Sequence, residues 1–340
     1  MQRKQFIANA LISIASYNSI ATAIKQTDVC EEANCTIPPR LAKGDAIGIT
    51  SAAGAITLAE CTDAITMMEQ WGFVIKIGGT IGKKSFSFGG TDAERITDLQ
   101  QMLDDDTLKA IMIARGGYGL VRIIDELDFA KFKKKPKWII GFSDVTVLHS
   151  HINKNIGIAT LHAKMCNSFV AAAVAEPIQL ATLNCIKDCL LGIKITYTIP
   201  ANTYNKLGSA SGMIVGGNLK TIESLAASKS DISTKNKILF VEDTGEYLYS
   251  IDRMFTHLKR CGKLTNLKGL IVGGFKIKKD DVGAEFGKTV EEIVLEKIKE
   301  FAYPVCFDFP VGHQKNNFAI KCGVLHTLVV DKNGAVCTEA

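Results

Sequence analysis

Outside its amino terminus, this 340-residue chain has no stretch approaching the roughly 18–20 uninterrupted apolar residues of a membrane span. Its ten cysteines include no Cys-x-x-Cys pair. Cys185 and Cys189 would share one helix face, but they lack the second ligand pair of a zinc site. Charge of one sign is scarce: the net charge is only +5, and the densest basic run, KFKKKPKW at 131–138, accompanies no nucleic-acid module and reads as a solvated loop. Phosphate loops are missing too. GAEFGKT at 283–289 places three residues between its glycines where the motif needs four, and RGGYG at 115–119 does not match Gly-x-Gly-x-x-Gly. His149 and His151 are two apart, so on a helix they point in different directions and cannot share a metal. The expectation is no membrane span, no nucleic acid, no metal and no cofactor.

What is present is a globular composition, 47% hydrophobic and 22% charged. The length suggests two domains. Strand-like runs (DAIGITSA, FVIKIGG, LKAIMIARGG, KWIIGFS) alternate with the amphipathic stretches LAECTDAITMMEQWG and TDAERITDLQQMLDDD. This βαβα rhythm predicts an α/β fold with a parallel sheet and function at the carboxyl ends of its strands. Residues 37–165 form the expected amino-terminal α/β domain and 166–206 a less regular linker. Residues 207–340 form the expected second, mixed α/β domain carrying GSASGMIVGGN, KILFVED, LKGLIVGGF and TLVV. The first 36 residues read as a leader: a basic start, a moderately apolar stretch, then small residues, the order of a secretory signal peptide. Export is therefore expected, with a short amphipathic helix on a cytoplasmic protein as the alternative. Cys30 and Cys35 could pair in an oxidising compartment; most other cysteines fall in apolar stretches and read as small core residues.

The polar residues at strand ends carry the chemistry. WIIGFSDVTVLHS at 138–150 ends an apolar run on Ser143 and Asp144. These are either helix caps or a hydroxyl pushed out of a strand-to-helix corner towards something it attacks. Glu242 and Asp243 close the apolar run KILFV, where a carboxylate is costly unless paired. His313 sits in the Gly-containing loop FDFPVGHQKNN. Ser143, Glu242 and His313 fit a nucleophile, an orienting acid and a base, because a serine hydroxyl attacks only when an imidazole takes its proton and a carboxylate fixes that imidazole. The N–H of Asp144 and the Gly116–Gly117 backbone could hold an oxyanion. His162 has no marked partner, and His257 lies inside an amphipathic helix.

Six blocks, LAKGDAIGITSAAG, ARGGYGLVRIIDELDF, IIGFSDVTVLH, GGNLKTIESL, VEDTGEYLYSIDRMFTHLKRCG and FPVGHQKNNFAIKCG, resemble the successive blocks of the LD-carboxypeptidases, a serine peptidase family that also holds the microcin C immunity peptidases. The resemblance runs from about residue 40 to the carboxyl terminus. It implies Ser143 as nucleophile, Glu242 as triad acid and His313 as base. It also implies a flavodoxin-like or class I glutamine-amidotransferase-like amino-terminal domain, a smaller carboxyl-terminal domain, a triad assembled across their interface, and commonly a homodimer. The implied reaction is hydrolysis of an L,D bond that releases terminal D-alanine from a murein tetrapeptide. The alternatives are an immunity peptidase cleaving an aminoacyl-nucleotide antibiotic and a non-catalytic muropeptide-binding protein. Two positions depart from the family pattern: LHAKM has Ala163 and Lys164 where Gly-Pro is usual, and Lys220 follows GGNL where Ser is usual.

Overall fold

A computed structural model describes residues 35–340. The leader expectation and Cys30 fall outside the described residues. The first sheet is built from β1 (Ala46–Thr50), β2 (Val74–Ile77), β3 (Leu108–Ile113), β4 (Trp138–Gly141) and β5 (Thr160–His162), all parallel. Their spatial order, β2-β1-β3-β4-β5, is the flavodoxin order. Every residue of β1 and β4 is buried, which is why each reads as a continuous apolar run instead of an alternating one.

The helices are α1 (Leu58–Gln70), α2 (Asp92–Asp104), α3 (Ala130–Lys134), α4 (Thr146–His151), α5 (Pro177–Leu190), α6 (Leu219–Ser224), α7 (Leu248–Arg260) and α8 (Val290–Ile298). Capping boxes start α1 and α2: Thr57 and Thr91 accept from the amides of Glu60 and Glu94, whose carboxylates reach back to the capping amides. The other end of α2 is closed by Lys137. Its buried ammonium donates to the carbonyls of Met102, Leu103 and Asp105, where the helix dipole favours a cation.

The second sheet contains β6 (Thr196–Pro200), β7 (Gly208–Asn218), β8 (Ile238–Glu246), β9 (Gly269–Ile277), β10 (Val305–Cys306), β12 (Leu325–Asp331) and β13 (Gly334–Glu339), in the order β10-β9-β8-β7-β12-β13-β6. The β10-β9-β8-β7 half is parallel and the β7-β12-β13-β6 half antiparallel. Residues Ile251, Met254, Phe255 and Leu258 of α7 recur at helical spacing and pack with α8 against the parallel half.

Two segments differ from the sequence expectation. The stretch 166–206 is more than a linker: α5 packs Leu183, Ile186 and Leu190 into the first core, and β6 pairs with β13 at the edge of the second sheet. The carboxyl-terminal half also returns a strand, β11 (Ile320–Cys322), to the first sheet, antiparallel to β5. Among the described residues no helix is long and apolar enough to cross a membrane. Cys61, Cys166, Cys185, Cys189, Cys306, Cys322 and Cys337 are buried, the small-hydrophobe role read from their apolar surroundings.

Candidate active site

The strand β4 runs into Phe142 and then into a single 3-10 turn, Ser143–Val145, continued by α4. Ser143 has φ +63°, left-handed backbone that costs a non-glycine residue roughly 1–2 kcal/mol. This is the strained strand-turn-helix corner that lifts a serine hydroxyl above a sheet. Neither polar residue of the corner caps the helix: the turn has no side-chain cap, and Asp144 instead accepts the amide of Leu120 at 2.9 Å. Burial pushes the Asp144 carboxyl up to about 6, against the pull of that amide. His149 braces the corner from behind. Its Nε2–H donates to the Gly141 carbonyl, which can only accept, so its Nδ1 accepts from the Thr160 hydroxyl, each at 2.9 Å. Burial pushes this imidazole down to about 4, so it stays neutral.

Glu242 lies on β8 opposite Asn218 of β7, at an irregularity in the pairing of β8 with β9. Bulges of this kind re-aim a side chain beside functional sites. The Glu242 side chain is 0% exposed, and His313 Nδ1 donates to its Oε2 at 2.6 Å. Gly312 makes the approach possible: it sits at φ +105°, and a Cβ there would lie 2.5 Å from Glu242 Cβ. With Nδ1 held by the carboxylate, Nε2 of His313 is the free nitrogen. The His313 ring packs against Phe142, the residue before Ser143, at 4.8 Å between centroids. No hydrogen bond joins Ser143 to His313 among the described residues; catalytic bonds of this type often tighten only on substrate.

The glycine loop lies against the serine. A Cβ on Gly116 would come within 3.1 Å of Ser143 Cβ. Arg95, fully buried, holds this loop to the end of β1 by donating to the carbonyls of Gly119 and Ala52 at 3.0 and 2.7 Å. Sequence reasoning misses Arg95 and weighs His149 only as a metal ligand, which it rejects; a charged or polar residue inside an apolar helix face is the available signal.

Among the described residues, three cavities lie around the corner and the glycine loop beside it. One of about 620 Å³ lies between the carboxyl ends of β1 and β3, the switch point of a flavodoxin order, with Lys83, Lys84, Arg115 and Tyr118 in its wall. A second, of about 320 Å³, shares Gly117 and Tyr118 with it and contains Ser143, Asp144, Asn218 and Asp243. The third, of about 410 Å³, is lined by Phe142 and His313. Burial, with Glu242 beside it, raises the Asp243 carboxyl to about 6, while Asn218, Thr244 and the Lys220 amide donate to it. No group of three or more His, Cys, Asp or Glu among the described residues is placed to hold a metal.

A strained serine at a sheet corner, an imidazole oriented by a buried carboxylate, and clefts at strand ends define the class: an α/β serine hydrolase. Residues 47–163 match the LD-carboxypeptidase N-terminal domain and residues 211–328 the LD-carboxypeptidase C-terminal domain. A probable murein peptide carboxypeptidase of Bacillus subtilis is 33% identical over 288 residues, covering 84% of this chain and 89% of that protein. The murein tetrapeptide carboxypeptidase of Pseudomonas aeruginosa is 25% identical over 297 residues, 84% of this chain and 93% of that one. The solved muramoyltetrapeptide carboxypeptidase from Oxalobacter formigenes superposes with a TM-score of 0.78 at 24% identity, covering 87% of this chain and 98% of that one. The microcin C7 self-immunity protein, solved in complex with aspartyl sulfamoyl adenosine, gives 0.77 at 22% identity over 90% of this chain and 98% of its own. The chain belongs to the LD-carboxypeptidase family of serine peptidases.

Proposed function

We propose that the protein removes the terminal D-alanine of murein tetrapeptides, with Ser143 as nucleophile, His313 as base and Glu242 as orienting acid. The observation that carries this reading is the Glu242–His313 bond set beside a serine in left-handed backbone. Ser143 Oγ attacks the carbonyl of the penultimate, L-configured centre while His313 Nε2 takes its proton. The oxyanion is held by the N–H groups of Asp144 and of Gly116 or Gly117. The same imidazole then protonates the departing D-alanine amine, and water repeats the sequence to release the acid. Glu242, shielded from water, stabilises the imidazolium in both halves.

The test is turnover of a murein tetrapeptide, read as free D-alanine. Ser143→Ala should keep the fold and lose at least about three orders of magnitude in kcat. Glu242→Gln should fall less far than His313→Ala, because the acid does not itself carry the proton. Chelators should leave the parent unaffected. A near-normal rate in Ser143→Ala would reduce Ser143 to a structural residue of the corner; a parent that binds the tetrapeptide without turnover would favour a muropeptide-binding protein, and cleavage of an aminoacyl-nucleotide in place of the tetrapeptide would favour the immunity-type reading. The leader-like order of residues 1–23 supports export, and the family resemblance supports a homodimer.

A further inference from the structure

Serine acyl transfer fixes where the leaving group lies. The imidazole must hand its proton to the departing amine, so the residue being released sits on the His313 side of Ser143. The cavity of about 410 Å³ is on that side, lined by His313 and Phe142 but not by Ser143. Its wall contains three lysines, Lys164, Lys276 and Lys315, and no carboxylate. Lys315 is paired with Glu176 at 2.5 Å. Lys164 is different. It follows β5 and is only 5% exposed, yet among the described residues it has no carboxylate partner: Nζ donates to the Thr182 hydroxyl at 2.7 Å and the Lys315 carbonyl at 2.8 Å. An ammonium has three donors, and these two acceptors are neutral. Burial pushes it down to about 8, which leaves it charged at neutral pH. Asn317, 1% exposed in the same wall, spends its Oδ1 on the Gly312 amide at 2.9 Å, while its Nδ2 is buried with no partner among the described residues.

We propose that Lys164 and Asn317 form the recognition site for the free carboxylate of the departing D-amino acid, so that this cavity makes the enzyme an exopeptidase. The ammonium supplies the charge and the unpaired amide a second donor, matching the two oxygens of a carboxylate. Lys164 stands where the family pattern has proline, so the device belongs to this chain and not to the pattern. It rests on the carboxypeptidase reading above.

The experiment compares a murein tetrapeptide ending in D-alanine with the same peptide ending in D-alaninamide. The parent should show a KM about 10- to 100-fold lower for the acid, the range expected for a hydrogen bond to a charged group. Lys164→Met should raise KM for the acid towards that for the amide, with kcat for the amide little changed. Asn317→Asp, which keeps an acceptor for the Gly312 amide but sets a negative charge in the wall, should penalise the acid alone; it serves equally if Lys164→Met folds poorly. A purely structural lysine, tying α5 to the histidine loop, would lower the melting temperature and leave the acid-to-amide ratio intact. Equal KM values for acid and amide in the parent overturn the proposal, as does a ratio that survives both substitutions. A parent that releases neither D-alanine from the acid nor D-alaninamide from the amide overturns the underlying reading, and this one with it.

Discussion

His162, the last residue of β5, is enclosed by Phe142, His149 and Phe240, and neither ring nitrogen finds a partner among the described residues. Burial holds its imidazole well below the ordinary 6.5, with His149 and His313 adding to the effect. A histidine depressed in this way contributes fully above pH 6.5. Below that, the unfolded chain takes up a proton that the folded one refuses, and each pH unit costs about 1.4 kcal/mol. The stability of His162→Phe relative to the parent should therefore grow by about 2 kcal/mol between pH 8 and pH 5, measured by urea unfolding, since His149 is common to both proteins. A pH-independent difference would overturn the buried neutral imidazole. Residue by residue, Ser143, Glu242 and His313 were legible because each is a polar side chain at the end of an apolar run. The roles of His149 and His162 were not, and Lys164 stood out only as a departure from the family pattern, because their meaning lies in what surrounds them: β5, the three-residue strand that His162 ends and Lys164 follows, leaves almost no periodic trace.

At the scale of elements, the site depends on α4 and β7 meeting across the two sheets. Thr146 of α4 accepts the Asn218 amide of β7 through Oγ1 at 3.0 Å, and a Cβ on Gly217 would lie 2.3 Å from that oxygen. Asn218 pairs with Glu242 on β8, so this contact ties the corner carrying Ser143 to the strand carrying the acid. Thr146→Val keeps the shape and leaves the Asn218 amide without its acceptor. The expected cost is about 1–3 kcal/mol in stability, with a fall in kcat larger than the change in KM; Thr146→Ser should restore both. Unchanged kcat in the valine variant would show that the corner is held elsewhere. The central strands β1, β3, β4, β8 and β9 could be read from sequence because burial on both faces makes them continuous apolar runs. The two- and three-residue strands β10 and β11 could not, since tertiary pairing defines them and not local preference.

Over the whole molecule, β11 returns from the carboxyl-terminal half to the first sheet, and the chain at 35–41 is sewn along that same sheet. The Thr36 amide donates to the Gly157 carbonyl and the Thr36 carbonyl accepts from Ala159, at 2.8 and 2.9 Å. Trp138 Nε1 donates to the Pro39 carbonyl at 3.2 Å, the Leu41 amide donates to the Leu190 carbonyl at 2.8 Å, and the Leu41 side chain is 2% exposed in the first core. The sequence reading put the edge of the fold at residue 37, close to this seam, because IPPRLAKGD opens the recognisable domain. Deleting residues 1–34 should therefore leave the melting temperature within about 2 °C of the parent and kcat unchanged, since every one of these bonds remains. Deleting residues 1–42 removes them together with a buried leucine, a loss of at least about 2–5 kcal/mol, and should lower the melting temperature by several degrees. The same seam bounds processing. If the leader is cleaved on export, the amino terminus of the recovered protein should fall at or before Cys35. Sequencing that terminus from fractionated cells reads the outcome: an intact Met1 in the cytosolic fraction overturns export, and a terminus beyond Leu41 on active enzyme overturns the structural role of the seam.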